Sequence, residues 1–120
     1  GAIVVVASQL GLVAVPDAVA YCASKGAAVN IARAMALDHG AEGIRVNAVC
    51  PGPTDTPLVQ RFFEETGDRD ATQRAFEDAT AIGRLIAPSE IAEAIAFLAS
   101  ERAGATIGAA LVVDAGYTTR

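Results

Sequence analysis

Apolar residues form three short runs along this chain, and each run predicts a β-strand. The first, Ile-Val-Val-Val at 3–6, does not alternate with polar residues, which is typical of a strand buried on both faces of a parallel sheet. Two further apolar segments, at 44–50 and 110–114, each end at a turn that contains glycine. We therefore expect three strands, joined by connections long enough to make them parallel.

Helical spacing of apolar residues fills two of the intervals between these strands. The longer helix is predicted over 18–39, with Asp17 as its N-cap and with Gly40 and Gly43 ending it. The second is predicted from Pro88 to about residue 100, with Ser89 as its cap. With right-handed crossovers, the order β-α-β-α-β gives an α/β fold in which helices cover a parallel sheet.

The segment from 54 to 87 differs from the rest because it is richer in charged residues. Two short amphipathic pieces predict helices near 58–65 and 72–80, and we interpret the whole segment as an inserted flap. Three of its residues, Arg61, Phe62 and Phe63, are candidates for substrate contact. One face of an amphipathic helix explains them equally well. Residues 1–120 are interpreted as one domain or part of one.

Composition narrows the classes of function. The 120 residues carry a net charge of −5 and no basic patch, which argues against nucleic acid as a partner. No apolar stretch reaches the roughly 18 residues that a membrane span requires. Cys22 and Cys50 form neither a disulfide framework nor a metal-binding spacing. We expect reduced cysteines, no metal site and a cytoplasmic protein.

The candidate chemistry begins with Tyr21 and Lys25, the only lysine of the chain. Positions i and i+4 of a helix share one face, and an ammonium group near a phenol favours the phenolate and lowers a tyrosine pKa from about 10. A general acid/base needs this property near neutral pH. Ser8 follows the first strand, and Thr54 and Thr56 follow the second. Because ligands bind beyond the carboxyl ends of parallel strands, we expect these side chains to lie together at one edge of the sheet.

At this point the chain resembles the short-chain dehydrogenase/reductase family, and in particular its C-terminal half. Ser8 precedes Tyr21 by thirteen residues, and the run Y-C-A-S-K at 21–25 is similar to the family's Y-x-A-S-K motif. The run I-R-V-N-A-V-C-P-G at 44–52 is similar to I-R-V-N-x-V-x-P-G. Similar matches occur at 88–100 and 108–116, although Ala115 stands where the family usually has glycine.

The resemblance implies the C-terminal half of a Rossmann-like doubly wound parallel sheet. It also implies an NAD- or NADP-dependent oxidoreductase that interconverts an alcohol and a carbonyl by hydride transfer. Its general acid/base would be a tyrosine. The implied catalytic residues are Ser8, Tyr21 and Lys25. The implied cofactor-binding residues are Tyr21, Lys25, Pro51, Gly52, Thr54 and Thr56.

The family's glycine-rich nucleotide-binding turn and catalytic asparagine have no counterpart in this sequence. We therefore expect a partial domain over 1–120 that lacks the nucleotide-binding half, and a first strand without its inner neighbour. An unpaired apolar strand favours aggregation, so an isolated chain is not expected to be a stable monomer.

Two other functions stay open. One is a truncated, non-catalytic Rossmann half that acts as an oligomerisation module. The other is a related epimerase or dehydratase that shares Y-x-x-x-K. The resemblance implies a small-molecule alcohol or ketone as partner and a homo-oligomer, either dimer or tetramer, built on the long helix.

Overall fold

A three-stranded parallel sheet forms the centre of the protein in a computed structural model that describes residues 1–119. The strands are β1 (Ala2–Val6), β2 (Arg45–Pro51) and β3 (Ala110–Val113), in the spatial order β1-β2-β3. Both pairings are parallel, with Ala2 opposite Arg45 and Ala48 opposite Ala110. The predicted α/β fold class is therefore confirmed, and β2 occupies the centre because it pairs on both sides.

The long helix α1 (Val19–His39) connects β1 to β2 and packs on the sheet. Small side chains on the inner face of α1 allow this close approach. They contact the β2 side chains that point toward the helix. The resulting core cluster consists of Ala7, Val29, Ala32, Ala36, Val46, Ala48 and Cys50. A second helix, α4 (Pro88–Ala99), packs against β1 and β2 as well.

Both predicted N-caps are wrong. The N-cap of α1 is Ala18 and makes no side-chain cap bond, because Asp17 lies one residue earlier in a left-handed turn with φ of 59°. The N-cap of α4 is Ala87 rather than Ser89, since Pro88 already occupies the first turn. Here the Glu90 carboxylate accepts a hydrogen bond from the Ala87 N–H at 2.8 Å.

Glu90 also joins α4 to the preceding loop. Both of its oxygens accept from the Arg84 guanidinium, at 2.8 and 2.9 Å. These bonds, with that from the Ala87 N–H, lower the pKa of Glu90 to about 2. Because the pair is exposed to solvent, it contributes little to stability. Its role is to hold the loop in position against α4.

The 54–87 segment contains two helices, α2 (Pro57–Glu65) and α3 (Arg69–Asp78). The second begins three residues before its predicted start, because the Asp68 carboxylate caps it by accepting from the Ala71 N–H at 3.0 Å. The two ends of the segment meet in a bridge between Thr54 and Ile86. That this segment acts as a flap stays a prediction.

Two polar residues of the I-R-V-N run have structural roles. The Arg45 guanidinium donates to the carbonyls of Leu98 and Ser100, both at 2.9 Å. The Asn47 carboxamide donates to the Thr106 carbonyl at 2.8 Å and accepts from the Ala109 N–H at 3.0 Å. These bonds fasten β2 to the connection between α4 and β3, and neither residue lines the candidate site described below.

Strand β1 is an edge strand within residues 1–119, because it pairs only with β2. Val6 is 52% exposed and Ile3 is also exposed. This is the unpaired apolar edge that the sequence predicts, and its effect on association stays a prediction. Among the described residues, no helix is long and apolar enough to cross a membrane.

Candidate active site

The predicted site residues lie around one cleft beyond the carboxyl ends of β1 and β2. Its volume is about 330 Å³. Every residue that the sequence singles out for catalysis or cofactor binding lines it: Ser8, Tyr21, Lys25, Pro51, Gly52, Thr54 and Thr56. The remaining walls are apolar and come from Val6, Ala7, Leu58, Val59, Pro88 and Ile91. The parallel topology explains this grouping, since strand ends of the same polarity meet at one edge.

Ser8 is held by the turn that follows β1. It is 8% exposed and caps a 3₁₀ turn, Gln9–Gly11, with its Oγ accepting from the Leu10 N–H at 3.1 Å. That bond uses a lone pair of the hydroxyl, so the hydroxyl hydrogen remains available to donate. The turn role and a role toward a ligand oxygen are therefore compatible.

Tyr21 and Lys25 lie one helical turn apart near the start of α1. The Lys25 Nζ lies 5.6 Å from the centroid of the Tyr21 ring, within cation–π range. The tyrosine is 47% exposed. None of the ion pairs found within residues 1–119 involves Lys25, so its charge is free to act on the cleft.

Gly11 brings the serine turn against the helix. A Cβ built on Gly11 would lie 2.6 Å from the Lys25 carbonyl oxygen, closer than real Cβ contacts. The turn that carries Ser8 therefore touches the α1 backbone at Lys25. This contact requires glycine at position 11, and it fixes the two elements that bear the catalytic candidates relative to each other.

The turn after β2 closes the other side of the cleft. A Cβ on Gly52 would lie 2.7 Å from the Asp114 Cα, so the chain passes close to the end of β3. The Thr54 hydroxyl donates to the Gly52 carbonyl at 2.9 Å. The Thr56 Oγ1 accepts from the Val59 N–H at 3.3 Å and caps α2. Both threonines thus shape the turn as well as line the cleft.

Asp114 fixes the turn after β3. Burial raises the pKa of its carboxyl, but hydrogen bonds outweigh that effect and the net pKa is lowered. The donors are the N–H of Gly116 at 3.0 Å, and the N–H and hydroxyl of Thr118 at 2.8 and 2.6 Å. Ala115, which lies between Asp114 and Gly116, adopts φ of 56°, a left-handed conformation that favours glycine.

Neither cysteine joins the site. Both are free thiols, and burial raises the pKa of Cys50, which favours its protonated and unreactive form. Three or more potential metal ligands do not cluster anywhere in the described part of the chain.

A second cleft of about 340 Å³ adjoins the first, and sequence reasoning missed part of it. Ser8, Tyr21, Pro51, Gly52, Leu58 and Val59 line both clefts, whereas Gln9, Leu10, Pro53, Phe62 and Phe76 line only the second. Of the flap candidates, Phe62 lies in the wall, Phe63 is fully buried and Arg61 is absent from both linings. The only sequence signal for Gln9 was its place directly after Ser8.

A family model described as enoyl-(acyl carrier protein) reductase matches residues 1–118. The chain belongs to the short-chain dehydrogenase/reductase family. It is 49% identical over 118 residues to cis-4-hydroxycyclohexanecarboxylate dehydrogenase of Sinomonas cyclohexanicum, a match that covers 98% of this chain and 45% of that protein.

Solved structures of the family agree with this assignment. A short-chain dehydrogenase family protein from Francisella tularensis superposes with a TM-score of 0.95 at 34% identity, covering 100% of this chain and 52% of the other. An actinorhodin polyketide ketoreductase variant with NADPH gives 0.93 at 35% identity, covering 100% and 48%. The chain therefore spans about half the length of the relatives it matches.

Proposed function

We propose that the protein containing this chain is an NAD(P)-dependent oxidoreductase that interconverts an alcohol and a carbonyl. The observation that supports this most is the single cleft that brings Ser8, Tyr21 and Lys25 together beyond the strand ends. Relatives named as a dehydrogenase and a ketoreductase support the same reaction class. The substrate would be a small alcohol or ketone.

In this proposal Tyr21 is the general acid/base. For oxidation, its phenolate oxygen accepts the proton of the substrate hydroxyl. A hydride leaves the carbon that bears this hydroxyl, and a carbonyl forms. For reduction, the phenol returns that proton to the substrate oxygen. The Lys25 ammonium stabilises the phenolate by its charge, and the Ser8 hydroxyl donates to the substrate oxygen.

The residues of the first cleft fit the nicotinamide end of a dinucleotide. The ammonium of Lys25 has no carboxylate partner among the ion pairs found in the described residues, so it is available to hydrogen-bond ribose hydroxyls. Pro51, Gly52, Thr54 and Thr56 would border the ring, together with Tyr21. When bound, the cofactor accepts or supplies the hydride. The surrounding apolar wall would exclude water from that transfer.

We also propose that residues 1–120 form part of a larger Rossmann-like domain, with the 54–87 segment as a flap over the substrate. The one-sided pairing of β1 and the match to about half of each relative support this. An oligomerisation role is the second candidate, because apolar residues of α1 such as Val19 and Leu37 are strongly exposed. A dimer or tetramer and a cytoplasmic location stay predictions.

Calorimetric titration with NADH and NADPH tests the proposal. We expect the native protein that contains these 120 residues to bind one of them saturably, which would also decide between the two cofactors. Lys25→Met should weaken binding roughly tenfold or more, since it removes charge-assisted hydrogen bonds.

Arg33→Met is the matched control, because Arg33 also lies on α1 but donates to Asn30 outside both clefts. This variant should bind like the wild type. Absence of binding by either nucleotide, or equal affinity in the Lys25 variant, would refute the cofactor role and favour the oligomerisation module.

A further inference from the structure

Gln9 carries a buried polar atom without a partner. The residue is 6% exposed, and within the described residues its Oε1 has no hydrogen bond. The oxygen lies against Gly52, whose missing Cβ would be 2.8 Å away. A buried, unpaired carboxamide oxygen destabilises a protein, whereas an apolar side chain of the same shape would not. The arrangement therefore has a cost, which a ligand in the adjoining cleft can offset once the carboxamide turns its oxygen from Gly52 toward that cleft.

The position of Gln9 indicates which kind of ligand could form a hydrogen bond with its carboxamide. Gln9 lines the second cleft, and the same cleft is lined by Ser8 and Tyr21, the residues proposed to hold the reacting oxygen. Consecutive Cα atoms are about 3.8 Å apart, so the side chains of Ser8 and Gln9 start close together. A substrate oxygen bound by Gln9 would therefore belong to the same molecule as the reacting oxygen and lie in the adjoining cleft.

The lining of the second cleft restricts the charge and shape of the ligand. No Asp, Glu, Lys, Arg or His is among its lining residues, and Leu58, Val59, Phe62 and Phe76 supply apolar walls. An ionised group would lose its hydration there without a counter-charge. The cleft is therefore suited to a neutral molecule with a compact hydrocarbon part.

We propose that Gln9 is a specificity-determining residue that binds a second, neutral oxygen of the substrate, so that the preferred class is neutral diols and hydroxyketones. This inference rests on the proposed function of the same site. The carboxamide NH₂ donates to a substrate oxygen, and a half-turn about its last side-chain bond presents the carboxamide oxygen instead. A hydroxyl group satisfies either orientation because it both donates and accepts.

Matched substrates test the proposal in the native protein that contains these 120 residues. Cyclohexanol and 1,2-cyclohexanediol differ by one hydroxyl. In Gln9→Met, which keeps the length of the side chain and removes its polar atoms, kcat/KM for the diol should fall about tenfold, the effect of one neutral hydrogen bond. The fall in kcat/KM for cyclohexanol, which lacks the second hydroxyl, should be several-fold smaller. An equal change for both substrates, or none, would overturn the proposal.

Stability gives a readout independent of turnover. Gln9→Met removes the unpaired oxygen without opening a cavity, so its melting temperature should equal the wild-type value or exceed it by a few degrees. A substantially lower melting temperature would show that Gln9 is a structural residue and would contradict the proposal. Gln73→Met is the control, because Gln73 donates to Glu77 on α3 and lines neither cleft; its diol preference should match the wild type.

Binding separates failure of this inference from failure of the proposed function. Ligand-observed NMR titration with the two alcohols needs no hydride transfer. If the wild type oxidises neither alcohol but binds the diol more tightly than Gln9→Met does, the oxygen subsite stands and the oxidoreductase assignment for these alcohols fails. If wild type and variant bind the diol equally, the subsite is refuted whether or not turnover occurs.

Discussion

The two sides of the candidate site are built in different ways. One side is the rim, defined as Ser8, Tyr21, Lys25 and Gly52, which lies on strand ends and on a helix packed against the sheet. The other side is the 54–87 segment, whose ends meet in the bridge between Thr54 and Ile86. Catalytic groups need fixed geometry, whereas a wall that selects substrates can vary. We therefore expect the chemistry at the rim, and selectivity from the segment together with Gln9, which faces it across the second cleft.

Three aromatic rings pack together within the 54–87 segment. Ring centroids of Phe63 and Phe76 lie 5.1 Å apart in an edge-to-face arrangement, and Phe62 lies 5.9 Å from Phe76. A backbone bond from the Ala81 N–H to the Ala115 carbonyl, at 2.8 Å, ties the segment to the end of β3. The segment therefore has a small aromatic core of its own and is tied by this bond to the end of β3.

The largest stability effect should come from this small core. Phe63→Ala removes a fully buried ring and should lower the free energy of unfolding by about 3–5 kcal/mol. The neighbouring Phe62→Ala removes a ring that is 48% exposed and should cost only about 1 kcal/mol. Urea denaturation measures both.

The same pair separates structure from selectivity. Because Phe62 lines the second cleft and Phe63 lines neither, Phe62→Ala should raise KM for apolar alcohols despite its small effect on stability. If Phe62→Ala proves as destabilising as Phe63→Ala and leaves KM unchanged, the division of roles within the segment is wrong.

A smaller effect is expected where Gly11, in the turn that carries Ser8, faces Gly26 on α1. Gly11→Ala places its Cβ against the Lys25 backbone and should cost about 1–3 kcal/mol, with a fall in kcat as the serine turn shifts. For Gly26→Ala, the nearest atom to the new Cβ is the Gly11 carbonyl oxygen at 3.7 Å. In the middle of α1 this change should stabilise by about 0.5–1 kcal/mol.

Thermal unfolding of both glycine variants checks this comparison. Equal stability of Gly11→Ala and wild type would show that the turn and α1 are not held in the contact described. A loss of stability in Gly26→Ala would show that the space beside Gly26 is smaller than the 3.7 Å separation described.

The sequence was sufficient for the elements of the fold. The three predicted strands each agree with the structure to within about one residue. The first was predicted from a run of apolar residues without alternation, which is typical of a strand buried in a parallel sheet. Helix starts were less predictable. A suitable cap residue at Asp17 or Ser89 does not reveal that the backbone turns left-handed at the first, or that proline starts the helix before the second.

The residues of the site also differ in how well the sequence predicts them. Tyr21 and Lys25 were singled out by their separation of one helical turn. Ser8 was singled out by its place after a strand and by the thirteen-residue spacing to Tyr21 that the resemblance to the family supplies. Gln9 and Phe76 were missed because their places in the wall depend on how the 54–87 segment folds back over the turn after β1. That arrangement depends on long-range packing, which local periodicity does not encode.

Replacement of the two tyrosines by phenylalanine tests the central claim most directly. Turnover of a secondary alcohol with NAD⁺ or NADP⁺ by the native protein should fall about 10²–10⁴-fold in Tyr21→Phe, because the proton acceptor is lost. Tyr117→Phe, at the chain's only other tyrosine, should keep wild-type kcat, and both variants should melt like the wild type. Retention of most of kcat by Tyr21→Phe would contradict the account.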